Sequence, residues 1–194
     1  MRLNIVGRYF AQWASMTLQR IFKEQLEEKL AYLDLSACQM GDQTADWLGA
    51  ALLPWANQHR TLRQQLSVLL HDQDPARLEA LQQQTTGLLD RLAFEPQWSL
   101  GAVDSAVKKA VAKVRSLPTL AVLDFCPYEG VTWEWLYTLL QQHGADVVLT
   151  IDVAGVLRQL HRKKQRPALV RLLGETGLTQ LQTAFKTKRH SYTQ

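Results

Sequence analysis

The chain has little that would tie it to a covalent or metal framework. It has two cysteines, Cys38 and Cys126, in 194 residues. Two thiols cannot make a disulfide scaffold, and a reducing, cytoplasmic setting is the default expectation. No Cys/His spacing suggests a zinc site, and none of the five histidines sits in a triad or metal motif. No apolar run reaches the ~18 residues of a membrane span, so no membrane association is expected. The N-terminus carries Arg2 and Arg8, but Asn4, Gly7, Gln12 and Ser15 interrupt its apolar residues, so this stretch is not expected to be a secretory signal. No internal repeat or low-complexity tract is present. Acidic residues are nearly missing from the C-terminal segment. From Arg158 to His190 the chain places Arg158, Arg162, Lys163, Lys164, Arg166, Arg171, Lys186, Lys188 and Arg189 against Glu175 alone. The net charge of +4 therefore hides a slightly acidic body and a strongly basic end.

What is present is ordinary globular material, 46% hydrophobic and 21% charged. The length fits one compact domain with a real core. Ile5 to Leu26 carries Tyr9, Phe10, Trp13, Met16, Leu18, Ile21 and Phe22 at three- and four-residue spacing, which predicts an amphipathic helix. Short apolar runs then alternate with helical patterns. Leu30–Leu35, Leu66–His71, Gln97–Val103, Leu120–Asp124 and Ala145–Ile151 read as strands, the third weakly. Helices are expected after Thr44, ending or kinking at Pro54, and over Ala76–Leu92, Ser105–Arg115, Val131–Gln142, Gly155–Lys164 and Pro167–Gly174. Asp74-Pro75 is an N-cap followed by a first-turn proline, and His143-Gly144 a C-cap. The tail from Lys186 reads as disordered.

Strands alternating with helices predict parallel βαβ units. The expected architecture is an α/β, Rossmann-like, mostly parallel sheet of about five strands flanked by helices. The N-terminal helix occupies residues 1–28, the core 29–152, and a basic helical segment and tail 153–194. In a parallel sheet all strand C-termini share one edge, where ligands bind. Here those positions are Asp34 with Ser36, Asp72, Asp104, Asp124 and Asp152. Each can cap the next helix. Together they put several acceptors around one crevice. An acidic group after the second strand can take both hydroxyls of a ribose, and Asp72 is placed for that. The loop after the first strand is usually glycine-rich so that backbone N–H groups can approach a ligand, yet here it contains only Gly41.

At five places the residues resemble the three-Cys-motif partner proteins, a class I methyltransferase-like group of bacteria and phages. The resemblance runs from near the N-terminus to about Gly174. It rests on Val6-Gly-Arg-Tyr-Phe-Ala-Gln-Trp13, on Tyr32-Leu-Asp-Leu-Ser-Ala-Cys-Gln-Met-Gly41, and on Leu70-His-Asp-Gln-Asp-Pro-Ala-Arg-Leu-Glu-Ala-Leu81. Leu123-Asp-Phe-Cys-Pro-Tyr-Glu-Gly-Val-Thr-Trp133 and Leu149 to Arg158 complete it. It implies S-adenosylmethionine as cofactor and methyl transfer to a nucleic acid or protein. Position by position, it implies Asp34 and Gly41 at the cofactor's amino-acid end with Ser36 beside them, Asp72 on the ribose, and Asp104 on the adenine side. Asp124, with Pro127 and Tyr128, would line the acceptor pocket, with Asp124 and Tyr128 in the catalytic role.

The chain departs from the family at two points. The first-strand loop has lost an aromatic residue, a proline and two of three glycines, and the fourth-strand turn is longer. The usual last two strands are also expected to be missing. These departures raise an alternative, a catalytically degenerate domain that binds a partner protein, or nucleic acid through Arg158, Arg162, Lys163, Lys164 and Arg166. Cys38 and Cys126 fall in the two altered loops. They read either as small buried hydrophobes or as neighbours in space.

Overall fold

The computed structural model describes residues 2–26, 29–35, 52–59, 65–90, 94–101, 108–109, 112–125, 133–141, 144–151, 153–160 and 162–191. In chain order the elements are α1 (Arg2–Glu24), β1 (Leu30–Asp34), α2 (Leu53–Gln58), β2 (Leu66–Asp72), α3 (Pro75–Leu89) and β3 (Gln97–Leu100). Then come β4 (Thr119–Phe125), α4 (Trp133–Leu140), β5 (Ala145–Ile151), α5 (Val153–Gln159), a 3₁₀ turn (Lys163–Gln165) and α6 (Arg166–Ser191).

The five strands form one sheet in the order β3-β2-β1-β4-β5, and every pairing is parallel. The expected Rossmann-like α/β architecture is therefore the one observed. The chain first moves outward from β1 to β2 and β3, then returns to the other side of β1 and moves outward again to β4 and β5. Right-handed crossovers moving in opposite directions place their helices on opposite faces. Two separate cores follow from this.

On the first face, Leu30, Tyr32, Leu66, Val68, Leu70, Leu120 and Val122 meet α1 through Val6, Phe10, Trp13, Ala14, Leu18 and Ile21, α2 through Ala56, and α3 through Leu78 and Leu81. On the second, Ala31, Leu33, Leu69, Ala121 and Leu123 meet Val114 and the α4 residues Leu136 and Leu139. The alternation along each strand is the ordinary pleat. A third, smaller cluster joins α5 and α6 through Val156, Leu160, Leu169 and Leu178, and touches the sheet at Leu149.

Local chemistry explains most boundaries. Asp74 Oδ1 accepts from the N–H of Ala76 at 2.9 Å and of Arg77 at 3.4 Å, so it caps α3, and Pro75 opens the helix where no N–H is needed. Gly144 precedes β5 with φ of +71°, a conformation glycine adopts without strain.

The structure also departs from expectation. Pro54 stands in the first turn of α2 and starts a helix instead of ending one, because its fixed φ suits that turn. β3 stops at Leu100, before a Gly101 with φ of +128°. The basic helix expected over Gly155–Lys164 is α5 plus the 3₁₀ turn, whereas the piece expected over Pro167–Gly174 is present as the first part of α6, ended by a non-helical Gly174. The tail expected to be disordered from Lys186 is instead helical through Ser191. Gly174, at φ 70° and ψ 163°, breaks α6 well before that tail. Among the described residues no helix is long and apolar enough to cross a membrane.

Phe10 holds the first core together. It is buried, its ring meets Tyr32 edge-on at 5.4 Å, and it meets Trp55 at 5.5 Å. Phe10→Ala is expected to cost about 3–5 kcal/mol of unfolding free energy in urea titration. Exposed Gln12→Ala on the same helix should stay within about 0.5 kcal/mol.

Candidate functional site at the carboxyl edge of the sheet

The strand order reverses between β1 and β4, so the crevice outside their carboxyl ends is where a ligand of this fold would sit. Asp34 is level with Leu70 of β2 and Val122 of β4. It therefore stands two residues below the level of Asp72 and Asp124, or about 6–7 Å deeper. Asp34 is 4% exposed and accepts a hydrogen bond from the Tyr32 hydroxyl at 3.2 Å. A buried carboxylate needs such donors to stay charged.

Asp72 ends β2 opposite Leu100 of β3. Its side chain is 1% exposed, and Oδ1 accepts from the Asp74 N–H at 2.8 Å and lies 3.1 Å from an Arg77 guanidinium nitrogen. Arg77 Nε lies 3.3 Å from Asp74 Oδ2. The sequence Asp-Gln-Asp-Pro-Ala-Arg thus closes on itself: one aspartate caps α3, the other braces the turn, and one arginine spans both. Arg77 drew no attention in the sequence. The signal was its spacing, three residues after the capping Asp74 and five after Asp72.

Asp124 lies in β4 opposite Thr150 of β5. Ser36, Gly41, Asp104, Pro127, Tyr128 and Asp152 lie outside the described residues, as do Cys38 and Cys126. The strands that lead to the two cysteine-bearing loops are direct neighbours, as expected. Among the described residues no group of three His, Cys, Asp or Glu converges as a metal site.

His71 adds a buried titratable group to this edge. It is opposite Ser99 in register, is fully buried, and places Nδ1 3.3 Å from Ser99 Oγ. Its Nε2 has no hydrogen-bond partner among the described residues. Burial holds its pKa below the ordinary 6.5, against the opposing pull of Ser99 and Asp72.

The basic residues lie beyond β5. Arg158 on α5, Arg162, Lys163 and Lys164 around the 3₁₀ turn, and Arg166 and Arg171 on α6 are all exposed. Arg166 pairs with Glu175 at 2.7 Å. Arg162, Lys163 and Lys164 make no ion pair among the described residues.

No protein-family model, curated protein or solved structure matches the chain.

The His71 environment sets a pH dependence. With the folded pKa below 6.5, the unfolded chain takes up the proton first as pH falls. The stabilisation is thus complete above about pH 6.5 and is lost as pH drops below it. Urea midpoints measured between about pH 7.5 and 5.5 should fall in the wild type, and His71→Gln should flatten that slope.

Proposed function

We propose that this chain is a methyltransferase-like domain whose crevice between β1 and β4 takes a nucleoside ligand of the S-adenosylmethionine type, for methyl transfer to a nucleic acid or protein. The observation that carries the reading is the all-parallel β3-β2-β1-β4-β5 order, with Asp34, Asp72 and Asp124 on the three adjacent strands at the reversal. The resemblance of the same segments to the three-Cys-motif partner proteins supports it. Ser36, Gly41 and Asp104 complete the proposed cofactor set, and Asp124 and Tyr128 the acceptor side.

One feature does not fit. Asp72 meets Arg77 and the Asp74 N–H, with almost no exposed surface. A ribose would have to compete with Arg77 and the Asp74 N–H for Oδ1 of that carboxylate. This favours a second reading, a degenerate domain of the same fold that binds nucleic acid through Arg158, Arg162, Lys163, Lys164 and Arg166, or binds a protein partner.

Titration calorimetry separates the two. If the crevice binds cofactor, S-adenosylmethionine and its demethylated product give micromolar heats that Asp72→Ala abolishes. Arg77→Gln frees the carboxylate and tightens binding. Absence of heat in both the wild type and Arg77→Gln eliminates the cofactor reading.

For the second reading, affinity for mixed single- and double-stranded nucleic acid should fall steeply with salt. Replacing Arg162, Lys163 and Lys164 together by Ala should flatten the log–log slope by about 2–3. A flat wild-type response removes the nucleic-acid branch.

A further inference from the structure

The two edges of the sheet are built differently. β3 is four residues long, follows Pro96 and ends at Gly101, features that blunt an edge. β5 runs seven residues, Ala145–Ile151, in unbroken one-to-one register with β4. It has no bulge, no proline and no lysine, and Asp146 is its one charged residue. Ala145 to Thr150 are half-buried and Ile151 is exposed, where the residues of β1 are fully buried.

The register fixes which backbone groups point outward. Thr119 N–H donates to Gly144 C=O, so the even-numbered residues of β5 face β4. Ala145, Val147, Leu149 and Ile151 therefore aim N–H and C=O away from the sheet. Among the described residues these outward groups have no hydrogen-bond partner.

Apolar surface flanks this edge. Tyr9 of α1 donates its hydroxyl to Asp146 Oδ2 at 3.0 Å, which places that side of α1 over the start of β5. Ile5 and Met16 share the helix face of Tyr9 and are 57% and 62% exposed. Ile151 and Val153 are exposed at the far end.

We propose that the β5 edge pairs with β5 of a second copy of this chain, antiparallel about a two-fold axis at Val148, to make one continuous sheet across a dimer. That axis sets Val147 against Leu149 and Ala145 against Ile151 of the second copy. All four outward residues then fall in hydrogen-bonded positions at once. An axis at Val147 or Leu149 leaves part of that row unmatched. The same register places Asp146 against Thr150 of the second copy, an acceptor against a hydroxyl donor, and keeps the two Asp146 carboxylates apart. A two-fold interface needs a self-complementary surface, and this strand supplies one. The proposal does not depend on what the crevice binds.

Sedimentation velocity and light scattering over about 1–100 µM test it on the full chain. A species of twice the 22.1 kDa monomer mass is expected. Two variants at one position should act in opposite directions at low salt. Thr150→Lys faces Asp146 of the second copy and should tighten the dimer, whereas Thr150→Asp faces the same carboxylate and should weaken it about fivefold or more. Thr150 also lies opposite Asp124 of its own chain, so the urea midpoint of each variant is measured alongside, and a shift in association beyond what that midpoint explains is the expected result. The Val147 and Leu149 amides should exchange slowly, and more slowly at higher protein concentration. A monomer throughout the range, or a dimer in which those two amides exchange freely, overturns the proposal.

Discussion

Parallel pairing is the constraint from which the rest follows. A strand laid parallel to its neighbour forces the chain to return over a face of the sheet, and handedness decides which face. β1 has such neighbours on both sides, reached in opposite directions along the sequence. The protein is therefore split into two apolar layers, with α1, α2 and α3 on one and α4 on the other. The same reversal leaves the carboxyl ends of β1 and β4 with no crossover between them. The crevice is a product of topology before any side chain is considered.

The described carboxylates near that edge, Asp34 and Asp72, are satisfied from within. Asp34 is held under the rim by the Tyr32 hydroxyl, and Tyr32 is in turn fixed by the Phe10 ring. Asp72, Asp74 and Arg77 form a closed charge cluster at the start of α3. Asp72 is the buried member while Arg77 is partly exposed, so removing Arg77 leaves a poorly solvated carboxylate. The turn after β2 is thus stiff for electrostatic reasons, and any ligand there competes with an existing cation.

The fold was largely legible in the sequence because buried parallel strands leave unmistakable apolar runs. Ala145–Ile151 is the observed β5 to the residue, and Leu30, Leu66 and Gln97 open the strands they were expected to open. The adjacency of the first and fourth strands was implied by the resemblance to a methyltransferase-type sheet. Boundaries were harder to read where one residue permits two outcomes. Pro54 suits a helix start as well as a helix end, and its neighbours gave no means of choosing. The basic run after Lys186 had the composition of a free tail, yet the backbone there is helical.

The site was less legible than the fold. Sequence position identified Asp34, Asp72 and Asp124 as strand-end carboxylates, but not depth or pairing. Asp34 and Asp72 look equivalent in the sequence. In space one lies a layer below the other, and the deeper one answers to a tyrosine on its own strand. His71 sits in no triad or metal motif, and nothing in the one-letter string marks an imidazole whose second nitrogen is buried without a partner among the described residues. Among the described residues, the cluster of Val156, Leu160, Leu169 and Leu178 meets the core beneath α4 at Leu149 of the sheet. This module follows the last strand and keeps an apolar cluster of its own, so it opens and closes on its own free-energy scale. Over evolutionary time it can be lengthened, recharged or exchanged while the five strands keep their order.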